Sequence, residues 1–133
     1  MSRSGYSSEC WGSELALWRG AVDSAICGRR GQAFLREMLV ALDSLHAKEL
    51  VKNDLEKDGK VCALGSVGLL RGIKMDSIAP TERDAVAAAF NIAPAMAAEI
   101  VYMNDEAGRY GETPEERFSR VRAWVKEQIR DEI

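Results

Sequence analysis

The sequence has few of the residues from which compact catalytic and metal-binding sites are built. It contains one histidine, His46, and three cysteines at irregular spacing, Cys10, Cys27 and Cys62. Imidazole and thiolate side chains ligate metals or exchange protons near neutral pH, and small sites take them from clusters such as C-x-x-C. Because the sequence has no such cluster, we predict that the protein is not an enzyme and that it holds no cofactor and no metal.

The sequence also lacks a strong excess of charge of either sign. Its 18 basic and 21 acidic residues give a net charge of −3, which is too small and of the wrong sign for a broad grip on nucleic-acid phosphates. An odd number of cysteines argues against a disulfide framework and for a reducing compartment. Residues 1–8 lack the apolar segment of a signal peptide, and the uncharged stretch 61–70 is too short to cross a bilayer. We expect a soluble cytoplasmic protein.

Apolar residues at helical spacing run through most of the chain. Its 133 residues are 47% hydrophobic, which is enough for a single globular domain, 1–133, and we expect residues 1–12 to be a flexible N-terminal segment. Asp58-Gly59 favours a tight hairpin turn, with a helix through 52–57 as the alternative. The predicted fold class is mainly α, a compact bundle of about five helices with one small β-hairpin. Spacings of three and four predict helices over 14–26, 32–45, 80–90, 94–101 and 113–129.

Two of these helices begin at specific residues. Thr113 and Glu116 have the T-x-x-E spacing of a capping box, and Pro114 occupies the first turn between them. Pro94 takes the first position of a helix after a break at 91–93. Both signals fix where a helix starts more closely than apolar spacing does.

Residues 83–101 have the spacing of a helix-turn-helix motif and support an alternative function, that of a small DNA-binding regulator. The second helix of such a motif presents polar or basic side chains to base edges and phosphates. Here the second helix, 94–101, has no arginine, lysine, glutamine or serine, and over 76–106 one arginine and no lysine stand against six acids. Two helices that pack at a tight corner explain the pattern better, so we do not expect nucleic acid to be the partner. The apolar and turn positions of the motif are Ala87, Phe90, Asn91, Ile92, Ala97 and Ile100.

Gly28-Arg29-Arg30-Gly31 lies just before the helix with the clearest apolar stripe. Backbone N–H groups at a helix start, with two guanidinium groups nearby, can hold a phosphate or the carboxylate of a partner. An arginine pair that is merely solvated in a loop is the commoner situation. Arg29 and Arg30 are therefore candidate partner-binding residues, with that alternative open.

Acidic residues concentrate in a polar loop that we expect over 104–112 and at the start of the last helix. They can present a negative face to a basic partner or bind a divalent cation, although their spacing fits no EF-hand. Compensation of the helix dipole accounts for Glu115 and Glu116, and the others also fit a solvated loop. The candidate partner-binding residues in this group are Asp105, Glu106 and Glu112.

Tryptophans near the two ends of the chain raise the question of partners and oligomers. Trp11 is a candidate exposed anchor for a partner, since interface hot spots are rich in tryptophan. Trp124 and Ile129 either face outward and support a homodimer or lie in the core of a monomer. Cys62 lies in an apolar stretch and is interpreted as an inert buried thiol.

The sequence contains three distinctive runs, GRRGQAFLREML at 28–39, the DG turn at 58–59 followed by VCALG at 61–65, and TPEERF at 113–118. They resemble a group of small proteins from tailed bacteriophages and prophages. The resemblance covers most of 28–129 in patches, and the group has no established catalytic or binding residues to transfer. It implies a phage accessory protein, made in the cytoplasm of the bacterial host, that binds a host protein. The resulting hypothesis is protein–protein binding that inhibits a host protein, such as a CRISPR or other anti-phage defence component.

Overall fold

The computed structural model describes residues 3–4 and 13–130, which are mostly helical. Their six α-helices and one two-stranded antiparallel sheet confirm the prediction of a mainly α fold with one small hairpin, with one helix more than the expected five. In chain order the elements are α1 (Ser13–Cys27), α2 (Arg29–Ser44), β1 (Glu56–Lys57), β2 (Lys60–Val61), α3 (Ala63–Arg71), a 3₁₀ turn (Met75–Ser77), α4 (Arg83–Phe90), α5 (Pro94–Asp105) and α6 (Pro114–Gln128).

Helix α5 lies at the centre of the bundle. It packs against α1, α3, α4 and α6, while α2 packs against α1, α3 and α6. Every residue of α5 from Met96 to Val101 is buried. Since one helical turn takes 3.6 residues, this burial covers all sides of the helix. The largest fully buried side chains of the core include Phe90, Leu35, Met38, Leu42, Leu50, Leu64, Met96 and Ile100.

Helix α3 is the additional helix, and it contains two glycines. Gly65 and Gly68 lie inside the helix, where they permit close packing. A Cβ atom at position 65 would collide with the carbonyl oxygen of Leu55, and one at position 68 would lie 2.5 Å from Sδ of Met75. The glycines of α3 therefore serve packing rather than chain reversal.

The hairpin is short but regular. Glu56 of β1 pairs with Val61 of β2, and the turn residues Asp58 and Gly59 have φ values of 54° and 81°. Positive φ at both central residues is the geometry of a type I′ turn, which Asp-Gly favours. The predicted hairpin is confirmed, and the alternative helix through 52–57 is wrong.

Helices α4 and α5 meet at the predicted break. Asn91 ends α4 in a left-handed conformation with φ of 55°, and Pro94 is the first residue of α5. The two helices are bent by 102° relative to each other. Within residues 3–4 and 13–130, no single helix is long and apolar enough to cross a membrane, and α4 and α5 reach that length and composition only when taken together.

The connection between α1 and α2 is a tight elbow. Gly28 is the N-cap of α2, and Arg29 and Arg30 are its first two residues, which corrects the interpretation of a loop arginine pair. A Cβ atom at Gly31 would collide with the carbonyl oxygen of Ala25 and lie 3.1 Å from that of the next residue. Packing therefore explains Gly31, while both arginines remain exposed.

Gln32 ties this elbow to the end of α6. Its buried amide nitrogen donates to the carbonyl oxygens of Ile26 at 2.8 Å and Gln128 at 2.9 Å. Its amide oxygen accepts from the backbone N–H of Arg130 at 2.7 Å. One side chain thus holds α1, α2 and the C-terminal end of α6 together.

Candidate functional site

The acidic candidate Asp105 is engaged within the chain. It is the last residue of α5, and its Oδ1 accepts from Nη2 of Arg3 at 2.8 Å. The side chains of Arg3 and Asp105 are 2% and 4% exposed. Burial raises the pKa of Asp105, and the hydrogen bonds and charge of Arg3 more than offset it, so the pKa lies below its ordinary value. Asp105 thus anchors Arg3 and offers no free carboxylate to a partner. Arg3 and Ser4 are the described residues of the segment 1–12, and both are buried.

Glu106 and Glu112 also have partners inside the chain. The hydroxyl of Ser4 donates to the carboxylate of Glu106. The Glu112 carboxylate is 8% exposed and accepts from Nε and Nη2 of Arg120 at 2.6 and 3.0 Å. The hydrogen bond from Arg120 holds the pKa of Glu112 below its ordinary range. The expected loop over 104–112 is confirmed for 106–112, where most residues are exposed. The expectation is wrong for 104–105, which belong to α5, and for the Glu112 side chain, which Arg120 covers.

The first turn of α6 uses the remaining acids for capping. The predicted capping box is confirmed, since Thr113 Oγ1 accepts from the N–H of Glu116 at 3.1 Å and a carboxylate oxygen of Glu116 accepts from the N–H of Thr113 at 3.0 Å. Nη2 of Arg109 donates to the same carboxylate at 2.6 and 2.7 Å. These hydrogen bonds lower the pKa of Glu116 to about 2, and the bond from Arg109 has the largest effect. Glu115 is exposed in the same turn, where it faces the positive end of the helix dipole.

Arg29 and Arg30 differ from most arginines of the chain. Both are exposed, and within residues 3–4 and 13–130 neither side chain forms an ion pair or a hydrogen bond. The solvated guanidinium groups of two consecutive residues thus remain open to a partner at the start of α2. By contrast, carboxylates or carbonyl oxygens engage the guanidinium groups of Arg3, Arg19, Arg36, Arg71, Arg109, Arg117, Arg120 and Arg122.

A cavity of about 180 Å³ lies between the elbow and the start of α5, with Arg30 in its lining. Neither α2 nor α5 has a side-chain cap or an acidic residue in its first turn, so the positive ends of two helix dipoles add to the charge of Arg30. None of the lining residues, all within the described chain, is acidic. They are Ser24, Ala25, Gly28, Arg30, Gly31, Ile92, Ala93 and Met96.

The sequence indicates one wall of this cavity and not the other. Arg29 and Arg30 stand out because they adjoin a helix start, whereas the spacing of Ile92, Ala93 and Met96 indicates only packing. These residues reach the elbow because α1 packs along α5. Such a contact between segments more than 60 residues apart leaves no local pattern in the sequence.

The helix pair at 83–101 has the crossing angle of a DNA reader but not its exposed face. The bend of 102° between α4 and α5 lies within the range of about 90–120° that is typical of helix-turn-helix motifs. However, a recognition helix must enter the major groove, and α5 is buried from Met96 to Val101. Glu99, in the middle of α5, is buried too and accepts from Arg19 at 2.9 Å. The burial of α5 argues against DNA binding through this pair.

The structure describes two of the three cysteines but not Trp11. Trp11 and Cys10 lie outside the described residues. Cys27 is exposed and Cys62 is buried, as interpreted from the sequence. Cys62 also has a structural role, because its Sγ accepts from the N–H of Gly65 at 3.4 Å and caps α3. In the part of the chain that the structure describes, no group of three or more histidine, cysteine or acidic side chains is placed to hold a metal ion.

Two aromatic residues show contrasting exposure. Trp124 is half-buried and packs against the core together with Ile129. Tyr110 is fully exposed in the loop between α5 and α6, and no motif in the sequence singles it out. An exposed tyrosine is a common interface residue, but Tyr110 lies in the loop after α5, whereas the arginine pair begins α2.

No protein-family model matches this chain, and no curated protein and no solved structure matches it either. The function must therefore be inferred from the geometry of the chain's own residues. Among the candidates in the described residues, Arg29 and Arg30 are exposed and have no acid or hydrogen-bond acceptor inside the chain. Glu106 is exposed too, but its carboxylate accepts from Ser4.

Proposed function

We propose that this protein acts by binding a partner protein through the exposed pair Arg29 and Arg30, and that the partner presents acidic residues to this pair. The observation that carries the proposal is that neither guanidinium group has an acid or hydrogen-bond acceptor within the described residues. Concentrated positive charge on a chain with a net charge of −3 steers acidic surfaces to one place. The acids Asp105 and Glu112 do not compete for this role, because both are neutralised inside the chain.

The biological setting that we propose is that of a phage accessory protein that inhibits a host protein, such as a CRISPR or other anti-phage defence component. Support for the setting comes from the phage-like runs of the sequence, the first of which, 28–39, contains the arginine pair. An inhibitor of this kind works by occupying a surface of its target, so it requires complementary charge and shape rather than catalytic groups. Such a protein would act in the cytoplasm of the bacterial host, as a monomer or a homodimer.

The test is affinity capture from nuclease-treated bacterial lysate with the tagged protein and two charge-reversed variants. The first variant is Arg29→Glu/Arg30→Glu. The second, Lys52→Glu/Lys57→Glu, makes the same change in net charge at two exposed lysines at the hairpin. We expect the arginine variant to lose about 90% or more of the captured partner, because reversed charges repel acidic residues. The lysine variant should retain the partner. Equal capture by both variants would contradict the proposal.

The nuclease treatment also tests the alternative function. If a partner is enriched only without nuclease, the protein acts on nucleic acid, and the DNA-binding regulator becomes the better explanation. Titration with duplex DNA at low salt provides the direct measurement, since phosphate binding weakens steeply as salt rises. An absence of binding at low salt excludes the alternative.

A further inference from the structure

We infer that the cavity lined by Arg30 receives a single glutamate side chain of the partner, which anchors the partner to the arginine pair. The inference rests on the proposed function and deepens it, because it assigns a chemical group to the contact. It is drawn from the size of the cavity, from the chemistry of its lining and from the different positions of Arg29 and Arg30.

The size of the cavity suits one side chain. Its volume is about 180 Å³. Pockets for drug-sized ligands are larger, about 300 Å³ or more. A glutamate side chain, with two methylene groups and a carboxylate, has the number of atoms that such a space holds.

The lining has an apolar part and a cationic part. Ala25, Ile92, Ala93 and Met96 supply carbon surface for methylene groups, and Arg30 supplies a charged donor for a carboxylate. A free phosphate would gain nothing from the apolar part, whereas a glutamate side chain uses both parts.

The Arg30 side chain is not paired with an acid in the described chain. None of the described lining residues is acidic. Asp23, which precedes the lining residue Ser24, lies 4.0 Å from Arg19. An incoming carboxylate therefore gains the charge of Arg30 without displacing an acid that Arg30 already binds.

The two arginines have different roles in this arrangement. Arg30 lines the cavity and Arg29 does not, although both are exposed. We therefore expect Arg30 to contact the bound carboxylate, while Arg29 contributes only to the general positive potential. The pair thus provides a matched comparison, since Arg29→Gln and Arg30→Gln change the net charge by the same amount.

The test uses butyrate, a small carboxylate with an aliphatic stem, as the probe. The full chain is titrated with sodium butyrate at constant ionic strength and followed by amide NMR, with butyramide as the uncharged control. We expect saturable shifts of the amides of residues 28–31, 93, 95 and 96 with a Kd of about 1 to 10 mM. Butyramide should bind about tenfold or more weakly, because it cannot form the charge-assisted bond.

Four variants distinguish the cavity from general charge. Arg30→Gln should weaken butyrate binding about tenfold or more, whereas Arg29→Gln should weaken it less than about twofold. Ala93→Leu fills the cavity from the start of α5 and Ser24→Leu fills it from α1, and each should abolish the saturable shifts. Two filling variants on different elements keep the test decisive if one of them does not fold.

Three results would overturn the inference: no saturable shift up to about 50 mM butyrate, equal effects of Arg29→Gln and Arg30→Gln, or binding that survives a folded cavity-filling variant. The partner gives a further check. If Ala93→Leu loses butyrate but captures the partner as the wild type does, the inference fails while the proposed function stands. If the wild-type protein binds butyrate but the Arg29→Glu/Arg30→Glu variant captures the partner as well as the wild type does, the proposed function fails.

Discussion

Gly31 of α2 lies directly against the carbonyl oxygen of Ala25 in α1, so that no side-chain atom fits between them. The two helices meet here through their backbones. This contact sets the angle of the elbow, and with it the position of Arg30 beside the start of α5. The glycine is therefore part of the architecture that shapes the cavity.

The elbow contact predicts opposite effects for two glycine-to-alanine changes. Gly31→Ala should destabilise the protein by about 2 to 3 kcal/mol, because a Cβ atom would overlap backbone that must then shift. Gly20 lies in α1, where a Cβ atom would meet nothing within 4 Å, so Gly20→Ala should stabilise by about 0.5 to 1 kcal/mol. Urea unfolding of both variants measures the difference, and losses of similar size would contradict the packing argument.

The buried pair Arg3 and Asp105 predicts strong coupling. Asp105→Asn should lower the free energy of unfolding by about 3 kcal/mol, because it leaves the Arg3 guanidinium buried without a counter-charge. Arg3→Met removes both the ion pair and the buried positive charge, so no unpaired guanidinium is left when Asp105 is also changed. The double variant should therefore lose at least about 1 kcal/mol less than the two single losses added together. Urea unfolding of all four proteins provides the cycle, and simple additivity would show that the two residues do not interact.

Gly108 and Glu112 predict a second case of coupling. A Cβ atom at position 108 would lie 2.6 Å from Cδ of Glu112, whose carboxylate is held by Arg120. We expect Gly108→Ala to cost about 1 to 2 kcal/mol, since the pinned carboxylate must move. In a Glu112→Ala background the obstruction is gone, and the same change should cost almost nothing. Thermal or urea unfolding tests this, and an unchanged cost in that background would show that Glu112 is not the obstruction.

The arginine-paired carboxylates predict loss of stability in acid. Their hydrogen bonds to arginine lower the pKa values of Glu37, Glu112 and Glu116, the last to about 2. Groups with a lowered folded-state pKa stabilise the fold above their ordinary pKa, and that contribution is lost as pH falls, because the unfolded chain binds protons first. The free energy of unfolding, followed by urea titration at a series of pH values, should therefore decline from about pH 5 downward.

Carboxyl NMR of Glu116 isolates one member of this set. Its titration midpoint should lie near 2, because Arg109 and the N–H of Thr113 stabilise the charged form. Glu116→Gln keeps a side-chain acceptor for the capping box but cannot titrate, so the variant should show a shallower loss of stability in acid. A Glu116 midpoint near the ordinary value of 4.5 would contradict the arrangement.

Local signals in the sequence predicted the elements that depend on neighbouring residues. The capping box at Thr113, the start at Pro94 and the turn at Asp58-Gly59 each involve residues within four positions of one another, and all three are confirmed. The sequence does not predict helix α3, because its packing depends on residues outside the helix. Its glycines are required by contacts with Leu55 and Met75, which no window of local sequence reveals.

The candidate site shows the same division. In the sequence, Arg29 and Arg30 are candidates because they adjoin a helix start. Asp105 and Glu112 are candidates because they belong to a stretch rich in acids. Only the fold reveals that arginines engage both of these acids, and the arginine paired with Asp105 lies 102 residues away in the chain. Tertiary ion pairs of this kind decide which charged residues stay accessible, and their partners are not visible in sequence order.

The hydrogen bonds of Gln32 determine when the elbow between α1 and α2 can be completed during synthesis. Its amide joins the elbow to Gln128, 96 residues later in the chain. Proteins emerge from the ribosome N-terminus first, so this bond can form only after Gln128 has been synthesised. A chain synthesised only as far as α5 would carry Arg29 and Arg30 without the bond that ties their elbow to α6, so we expect a fragment that ends before Gln128 to have a less rigid elbow.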